Sequence, residues 1–311
     1  MSPTVFGPRR DQPGRLRSNS QETPASWNPA ILLLVTDPLC LKELRVHELG
    51  RADGPTLVLL HGLSDSGLCW PDAVRRWRHG YRIVAPDARG HGESPRFDPV
   101  TSGSNRFADM VADVVALLEA LGAEVGETPL LVGHSMGAGV SGAVLATRPD
   151  LVRGGVLEDP PWFTTPRGGA RPPQPETTQQ SVQRFRDDCS AAEARSRVEL
   201  PLWPEIEFRP WAVSKTQLDP LLTDREQIAS QAPWIDAAAA IAKPTLLVTG
   251  GREEAILVTA QSRQRLTELG NRHIEVEVVP GAGHTVRRDR TDTYHRIVDP
   301  WIRKQFPTVG S

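Results

Sequence analysis

The sequence predicts an α/β fold in which helices cover both faces of a mostly parallel β-sheet. Short apolar segments typical of buried strands alternate with amphipathic helical segments, and this alternation is typical of parallel strands joined by crossover helices. The length of 311 residues suits one large domain better than two independent ones. Hydrophobic residues make up 39% of the chain and charged residues 24%, which is ordinary for a globular protein.

Charge, cysteine content and hydropathy argue against several classes of function. The formal net charge of −2 predicts no general attraction to nucleic acid or to an anionic membrane surface. The three cysteines, Cys40, Cys69 and Cys189, form no Cys-x-x-Cys pair, so we expect neither a disulfide framework nor a zinc site. No apolar segment has the length of a membrane span. We therefore expect a cytoplasmic protein without metal or other cofactor that acts on a small-molecule substrate.

Residues 1–26 are predicted to form a disordered tail, because Pro, Arg, Ser and Gln dominate there and apolar periodicity is absent. Residues 27–161 are predicted to form the first part of the core. The expected strands are Ala30–Val35, Leu44–Glu48, Thr56–Leu60, Arg82–Ala85, a segment starting at Leu130, and Gly155–Glu158. The expected helices cover Trp70–Trp77, Asn105–Leu121 and a segment ending near residue 148.

The alternation of strands and helices stops between Trp162 and Ala242. A Pro- and Gly-rich loop opens this segment, and helical patterns follow near Thr177–Val198, Trp211–Leu218 and Asp224–Ser230. We interpret residues 162–242 as a helical insertion in a single α/β domain. The second part of the core, residues 243–311, is predicted from the segments Thr245–Thr249, Val258–Leu269, Ile274–Val279 and a final helix over Thr291–Phe306.

A Gly-x-Ser-x-Gly pattern lies between the strand that starts at Leu130 and the helix after it. In that setting the pattern is typical of a nucleophile elbow, with the hydroxyl of Ser135 exposed at the sheet edge. Gly133 and Gly137 lack the side chains that would prevent the strand and helix from packing so closely. The other interpretation is an ordinary Gly-rich turn.

Acyl transfer by a serine requires a base, an acid that orients the base, and hydrogen-bond donors for an oxyanion. The base is assigned to His284, which follows the last predicted strand in a loop of small residues. Glu253, after the preceding strand, is the expected acid. Its neighbour Glu254 leaves the register open, and Asp159, which follows an earlier strand, is the alternative.

The expected oxyanion donors are the backbone N–H groups of Met136 and Leu63. Leu63 lies just after a strand that ends in His-Gly, and the side chain of His61 is interpreted as a turn stabiliser. A further dense motif, Asp87-Ala88-Arg89-Gly90-His91-Gly92-Glu93-Ser94, is interpreted as a structural turn in which Asp87 and Arg89 bond nearby backbone. A third metal ligand at a fitting spacing is missing from it.

With these motifs in place, the chain resembles the α/β-hydrolase fold superfamily. The resemblance rests on four blocks: Leu60-His61-Gly62-Leu63, Asp87-x-Arg89-Gly90-His91-Gly92-x-Ser94, Gly133-His134-Ser135-Met136-Gly137 and Gly281-x-Gly283-His284. It implies a sheet of about eight strands, a lid formed by residues 162–242, and a triad of Ser135, His284 and Glu253. Relatives usually carry Asp where Glu253 stands.

We expect a serine hydrolase that cleaves a carboxylic ester or lactone of an apolar small molecule through an acyl-enzyme. Trp162, Phe163 and Trp211 are expected to line an apolar pocket, or else to form the core of the insertion itself. Hydrolysis of a C–C bond and cofactor-free peroxidase chemistry use the same residues and remain open alternatives. A ligand-binding protein without catalysis is the alternative from a different class.

Overall fold

The computed structural model describes Met1 and residues 44–98, 105–126, 128–162, 178–223 and 233–306. Its strands are β1 Val46–Gly50, β2 Thr56–Leu60, β3 Arg82–Pro86, β4 Leu130–His134, β5 Gly154–Glu158, β6 Thr245–Gly250 and β7 Ile274–Val279. They form one sheet in the order β1-β3-β2-β4-β5-β6-β7. β1 is antiparallel to β3, and the other neighbouring strands are parallel. The predicted mostly parallel α/β sheet is therefore confirmed.

The described residues form seven strands, where the resemblance implies about eight. The expected strand Ala30–Val35 lies outside the described residues, as do residues 2–26 of the expected tail. Every residue of β2 to β6 is buried. Their near-continuous apolar sequences are those of strands covered on both faces. β7 alternates Val and Glu at the sheet edge and is largely exposed.

Helices cover both faces of the sheet. They are α1 Pro71–Trp77, α2 Arg106–Val125, α3 Met136–Thr147, α4 Thr178–Asp187, α5 Cys189–Glu199, α6 Glu205–Thr216, α7 Trp234–Ala240, α8 Ala260–Leu269, α9 Val286–Asp289 and α10 Thr291–Gln305. Apolar side chains of α2, α3, α7 and α8 form one core, and those of α1 and α10 form a second. Successive residues of β4 alternate between them: Leu131 packs in the first core, and Leu130 and Val132 in the second.

The helices α4 to α7 lie between β5 and β6, where the sequence predicts an insertion. The single helix expected over Thr177–Val198 is two helices, because the Asp188 carboxylate accepts a hydrogen bond from the Ala191 N–H at 3.0 Å and caps α5. α6 begins at Glu205, earlier than the expected start at Trp211. The expected helix over residues 224–230 lies outside the described residues. In the described ranges no helix is both long and apolar enough to cross a membrane.

Parallel topology brings the loops after β2, β4, β5 and β6 to one edge of the sheet. The loop after β2 and the first turn of α3 are in close contact there: the Gly137 N–H donates to the His61 carbonyl at 3.1 Å. A Cβ atom on Gly137 would lie 2.6 Å from that carbonyl oxygen and would also collide with the backbone of Leu60. Glycine is therefore required at position 137 by backbone contact.

We predict that Gly137→Ala lowers the free energy of unfolding by about 3 kcal/mol or more, because the colliding atoms belong to backbone and cannot rotate away. Urea denaturation measures this value. The matched control is Gly122→Ala in α2, where an added Cβ meets nothing within 4 Å. This substitution should raise the free energy of unfolding by about 0.5–1 kcal/mol. Equal stabilities of the two variants would contradict the conclusion that backbone contact requires glycine at position 137.

Candidate active site

Ser135 lies in the sharp turn between β4 and α3. Its backbone has φ 51° and ψ −114°, a strained conformation for a residue other than glycine. A Cβ atom on Gly133 would lie 2.5 Å from the Gly137 carbonyl oxygen and 2.6 Å from Ser141 Oγ. The strand and the helix can therefore pack this closely only with glycine at position 133. The Ser135 N–H donates to the Glu158 carbonyl at 2.9 Å, which ties the turn to the end of β5.

The side chains of Ser135, His284 and Asp159 form one hydrogen-bonded chain. His284 Nε2 lies 2.9 Å from Ser135 Oγ, and His284 Nδ1 lies 2.6 Å from Asp159 Oδ2. When Nδ1–H donates to the carboxylate, Nε2 is free to accept the proton of the hydroxyl. Imidazole and hydroxyl therefore have the geometry of a general base and a nucleophile.

The Asp159 carboxylate is fully buried and accepts further hydrogen bonds that fix its orientation. Thr249 Oγ1 donates to Oδ1 at 2.7 Å, and the Val258 N–H donates to the same oxygen at 3.0 Å. The Leu257 N–H donates to Oδ2 at 2.9 Å. Asp159 itself has a positive φ of 43°, directly after β5. Backbone and side-chain donors therefore hold this carboxylate against the imidazole.

Among the described residues no hydrogen bond joins Glu253 to His284, so the geometry does not support the prediction that Glu253 orients the imidazole. Its carboxylate accepts from the Ala260 N–H at 2.9 Å and pairs with Arg263, both at the start of α8. Burial opposes its ionisation, yet the hydrogen bond from Arg263 keeps the pKa of Glu253 below its ordinary value. Glu254 is exposed. The carboxylate at His284 is that of Asp159, the alternative from the sequence.

The backbone N–H groups of Met136 and Leu63 belong to two segments that meet at Ser135. Residues 61–65, here called the 61–65 loop, form a turn closed by the Asp65 N–H donating to the Gly62 carbonyl at 3.0 Å. A Cβ atom on Gly62 would lie 3.4 Å from the Cβ of Ser135, so this loop is in contact with the serine. Among the described residues, no hydrogen bond involves the N–H of Met136 or of Leu63.

His61 connects two turns through both of its ring nitrogens. Nδ1 lies 2.8 Å from the Gly62 carbonyl, and Nε2 accepts from the Ala88 N–H at 2.9 Å. These bonds assign the ring proton to Nδ1. Burial lowers the pKa of His61. A neutral imidazole that forms one hydrogen bond at each ring nitrogen has the geometry of a turn stabiliser.

The Asp87–Ser94 motif forms a turn, in part as expected. Asp87 accepts from the N–H groups of Gly67 at 2.7 Å and Glu93 at 2.8 Å. Arg89, expected to bond nearby backbone, pairs with Asp113 of α2 at 2.7 Å. In the part of the chain that the structure describes, no group of three His, Cys, Asp or Glu residues could hold a metal ion.

Buried charges beside the site were missed by the sequence reasoning. Asp65 pairs with Lys215 at 2.7 Å and with Arg288 at 3.1 Å. Arg288 also pairs with Glu207 at 2.9 Å. Burial raises the pKa of the Asp65 carboxyl, but Lys215 and Arg288 hold it far below its ordinary value. The one sequence feature that could have indicated these buried charges is the Arg287-Arg288 pair, which begins three residues after His284.

A second buried pair connects the elbow to the His284 segment. The Glu158 carboxylate accepts from the Arg287 N–H at 2.8 Å and from its guanidinium at 3.1 Å. Burial raises the pKa of Glu158, and the Arg287 charge opposes that rise. His134 Nε2 lies 3.3 Å from the carbonyl oxygen of His284. Glu158 and His134 therefore hold the backbone from the His284 carbonyl to Arg287, directly after the imidazole.

Two of the three expected pocket-lining aromatics, Trp162 and Trp211, pack against other aromatic rings. Trp162 is buried and stacks on Trp234 of α7, with ring centroids 5.4 Å apart. Trp211 packs edge-on against Phe185 at 5.2 Å and Trp203 at 5.2 Å, inside the helical insertion. This packing agrees with the alternative that these tryptophans belong to cores, and the expectation that Trp162 and Trp211 line a substrate pocket stays a prediction. Phe163 lies outside the described residues.

Comparisons with known proteins agree with this architecture. Residues 57–297 match a family model described as the alpha/beta hydrolase family. A 2-(acetamidomethylene)succinate hydrolase of Mesorhizobium japonicum is 30% identical over 254 residues, which are 78% of this chain and 85% of the relative. The crystal structure of an E-2-(acetamidomethylene)succinate hydrolase has a TM-score of 0.61 at 25% identity, covering 83% of this chain and 94% of that one. An enol-lactonase from Burkholderia xenovorans shares the fold, with a TM-score of 0.60, 19% identity and coverage of 83% and 96%.

The buried histidines predict a pH-dependent stability. Burial holds the pKa values of His91 and His134 well below 6.5. Below pH 6.5 the unfolded chain therefore binds protons that the folded chain does not, and the free energy of unfolding falls as the pH is lowered. Each histidine should contribute about 1 kcal/mol to this fall between pH 7.5 and pH 5.5. Urea denaturation at the two pH values measures it.

The control for this prediction is His91→Gln. Its absolute stability is expected to be lower than that of the wild type, but its fall between the two pH values should be about 1 kcal/mol smaller. A fall of the same size in both proteins would contradict the assignment to His91.

Proposed function

The chain belongs to the alpha/beta hydrolase family, and on that premise we propose that it is a serine hydrolase that cleaves a carboxylic ester or lactone through an acyl-enzyme. The observation that supports this most directly is the hydrogen-bonded chain from Ser135 through His284 to Asp159. A strained turn that exposes a hydroxyl to an oriented imidazole is the arrangement that serine acyl transfer needs.

In the proposed acylation step, Ser135 Oγ attacks the substrate carbonyl carbon while His284 Nε2 takes the hydroxyl proton. The imidazolium that forms is stabilised by Asp159, whose carboxylate stays ionised and holds Nδ1–H. Collapse of the tetrahedral intermediate breaks the bond to the leaving alkoxide, which receives the proton from His284. The products of this half-reaction are the alcohol and an acyl ester on Ser135.

In the proposed deacylation step, a water molecule gives its proton to His284 Nε2 as its oxygen attacks the acyl carbon. The second tetrahedral intermediate then expels Ser135 Oγ, which regains the proton. The backbone N–H groups of Met136 and Leu63 are the proposed donors to the oxyanion in both steps. Support comes from the contact of the 61–65 loop with Ser135. The loss of one such donor costs about 2.7–4 kcal/mol of transition-state stabilisation in serine hydrolases.

The proposal concerns acyl chemistry and does not depend on whether Trp162 and Trp211 also line a pocket. A second candidate substrate class is an acetamido-substituted dicarboxylate. It is favoured by the relative named for 2-(acetamidomethylene)succinate, of which the chain covers 85%. Ser135, His284 and Asp159, in the same proposed roles, would act on a carbonyl group of such a substrate.

We predict that Ser135→Ala lowers the turnover of p-nitrophenyl acetate by at least about 10⁴-fold, because the nucleophile is removed while the fold is kept. A fluorophosphonate probe should label wild-type protein and should not label the variant. Wild type and variant are also assayed with three further substrates: 2-(acetamidomethylene)succinate, a meta-cleavage dienoate, and peroxide with acetate. Turnover of the dienoate or of peroxide alone would favour the C–C hydrolase or the peroxidase over the esterase.

Absence of labelling at Ser135 and equal rates of wild type and Ser135→Ala would contradict the serine mechanism. That result would favour a ligand-binding protein without catalysis.

We further predict that Asp159→Asn lowers turnover by about 10⁴-fold, because an amide that donates to Nδ1 selects the wrong tautomer of His284. The matched control is Glu253→Gln, whose amide oxygen can still accept from the Ala260 N–H. It should change turnover less than about 3-fold, since its surface pair with Arg263 contributes little. Steady-state kinetics on the same ester compare the two variants. A larger loss in Glu253→Gln would assign the acid to Glu253 instead.

A further inference from the structure

The 61–65 loop is held by the last turn of α6, in the helical insertion. On the basis of the proposed function, we propose that Lys215 is a positioning residue that fixes this loop, and with it the N–H of Leu63, for oxyanion binding. Ser214 assists it. Neither residue is expected to touch the substrate, so both act through the backbone of Ser64.

The carbonyl oxygen of Ser64 accepts two hydrogen bonds from α6. Lys215 Nζ lies 3.0 Å from it, and Ser214 Oγ lies 2.9 Å from it. The single proton of Ser214 is shared with the Trp211 carbonyl at 2.7 Å. Lys215 is therefore the stronger of the two donors, because a bond from a charged group exceeds a neutral one.

The conformation of Ser64 makes these bonds important. Its φ is 64°, in the left-handed region that residues other than glycine seldom adopt. Ser64 directly follows Leu63, and the turn closes between Asp65 and Gly62. A Ser64 that relaxed to negative φ would change the direction of the chain next to the Leu63 N–H. Donors from outside the loop therefore hold a conformation that the loop does not favour by itself.

The lysine ammonium is fully engaged and almost completely buried. Its side chain is 6% exposed, it pairs with Asp65 Oδ1 at 2.7 Å, and it lies 4.7 Å from the centroid of the Trp211 ring. Asp65 also pairs with Arg288 at 3.1 Å, through its other carboxylate oxygen. Replacement of Lys215 by an uncharged side chain of similar length therefore removes the bond to Ser64 without leaving Asp65 unpaired.

The test compares Lys215→Met with Glu207→Gln. Glu207 is on the same helix and pairs with Arg288 at 2.9 Å. In the described residues its carboxylate accepts hydrogen bonds from Arg288 and from the Asp72 N–H, and neither belongs to the 61–65 loop. Both substitutions loosen the attachment of α6 to the core, and only Lys215→Met removes a bond to Ser64. Thermal denaturation shows whether the two variants are folded and similarly destabilised.

For Lys215→Met we expect kcat for p-nitrophenyl acetate to fall about 10- to 100-fold, part of the loss caused by deletion of a whole oxyanion donor. KM should change less than about 3-fold, because the ground-state contacts remain. The inhibition constant of phenylboronic acid, which forms a tetrahedral adduct on serine, should rise in parallel with the fall in kcat. Glu207→Gln should keep kcat and the boronate affinity within about 3-fold of wild type.

Ser214→Ala is the milder second variant if Lys215→Met does not fold. It should lower kcat about 3- to 10-fold with the same KM and boronate pattern. Unchanged kcat in both Ser64-contacting variants, or equal losses in Glu207→Gln, would overturn the role of Lys215. A wild-type protein that neither turns over ester nor reacts with fluorophosphonate would overturn the proposed function, and this inference with it.

Discussion

The close backbone contact between the loop after β2 and the first turn of α3 is the constraint on which the rest of the site depends. Gly137 donates to the His61 carbonyl at 3.1 Å, and no Cβ fits at that position. Because this contact is made of backbone, it brings together the 61–65 loop and the N–H groups at the start of α3 regardless of the surrounding side chains. The strained Ser135 lies between them. The hydrogen bond from its N–H to the Glu158 carbonyl connects the end of β5 to the 61–65 loop and the start of α3, and these three segments form one unit.

The buried charges are arranged around that unit and are balanced. Lys215, Arg287 and Arg288 face Asp65, Glu158 and Glu207, and each of the six side chains is buried. Desolvation of such pairs often equals or exceeds their mutual attraction, so a net contribution to stability is a weak explanation for them. The positions of these pairs indicate a structural role. The pairs connect four separate segments: the loop after β2, the end of β5, helix α6 and the residues after His284.

Sequence patterns predict the parts of this molecule that depend on local structure. The parallel sheet follows from apolar segments, and the contact of Ser135 with His284 agrees with a glycine-flanked serine and a histidine in a small-residue loop. The choice between the two candidate acids could not be made from local sequence, because Asp159 and Glu253 both follow strands. Arg263 and the Ala260 N–H draw Glu253 to the start of α8, whereas Thr249 and two N–H groups hold Asp159 at the imidazole. These partners are known only once the chain is folded.

The contact between Lys215 and Ser64 joins residues that are 151 positions apart, so no local pattern indicates it. Its physical logic is nonetheless simple. The positive φ of Ser64 carries an energetic cost of about 1–2 kcal/mol, and a hydrogen bond from a charged donor contributes about 1.5–3 kcal/mol when fully formed. The two values are similar, so the conformation next to Leu63 depends on whether α6 is docked. The helical insertion is in this way attached to the proposed oxyanion site through backbone, and a change in its packing reaches the proposed chemistry without any contact to the substrate.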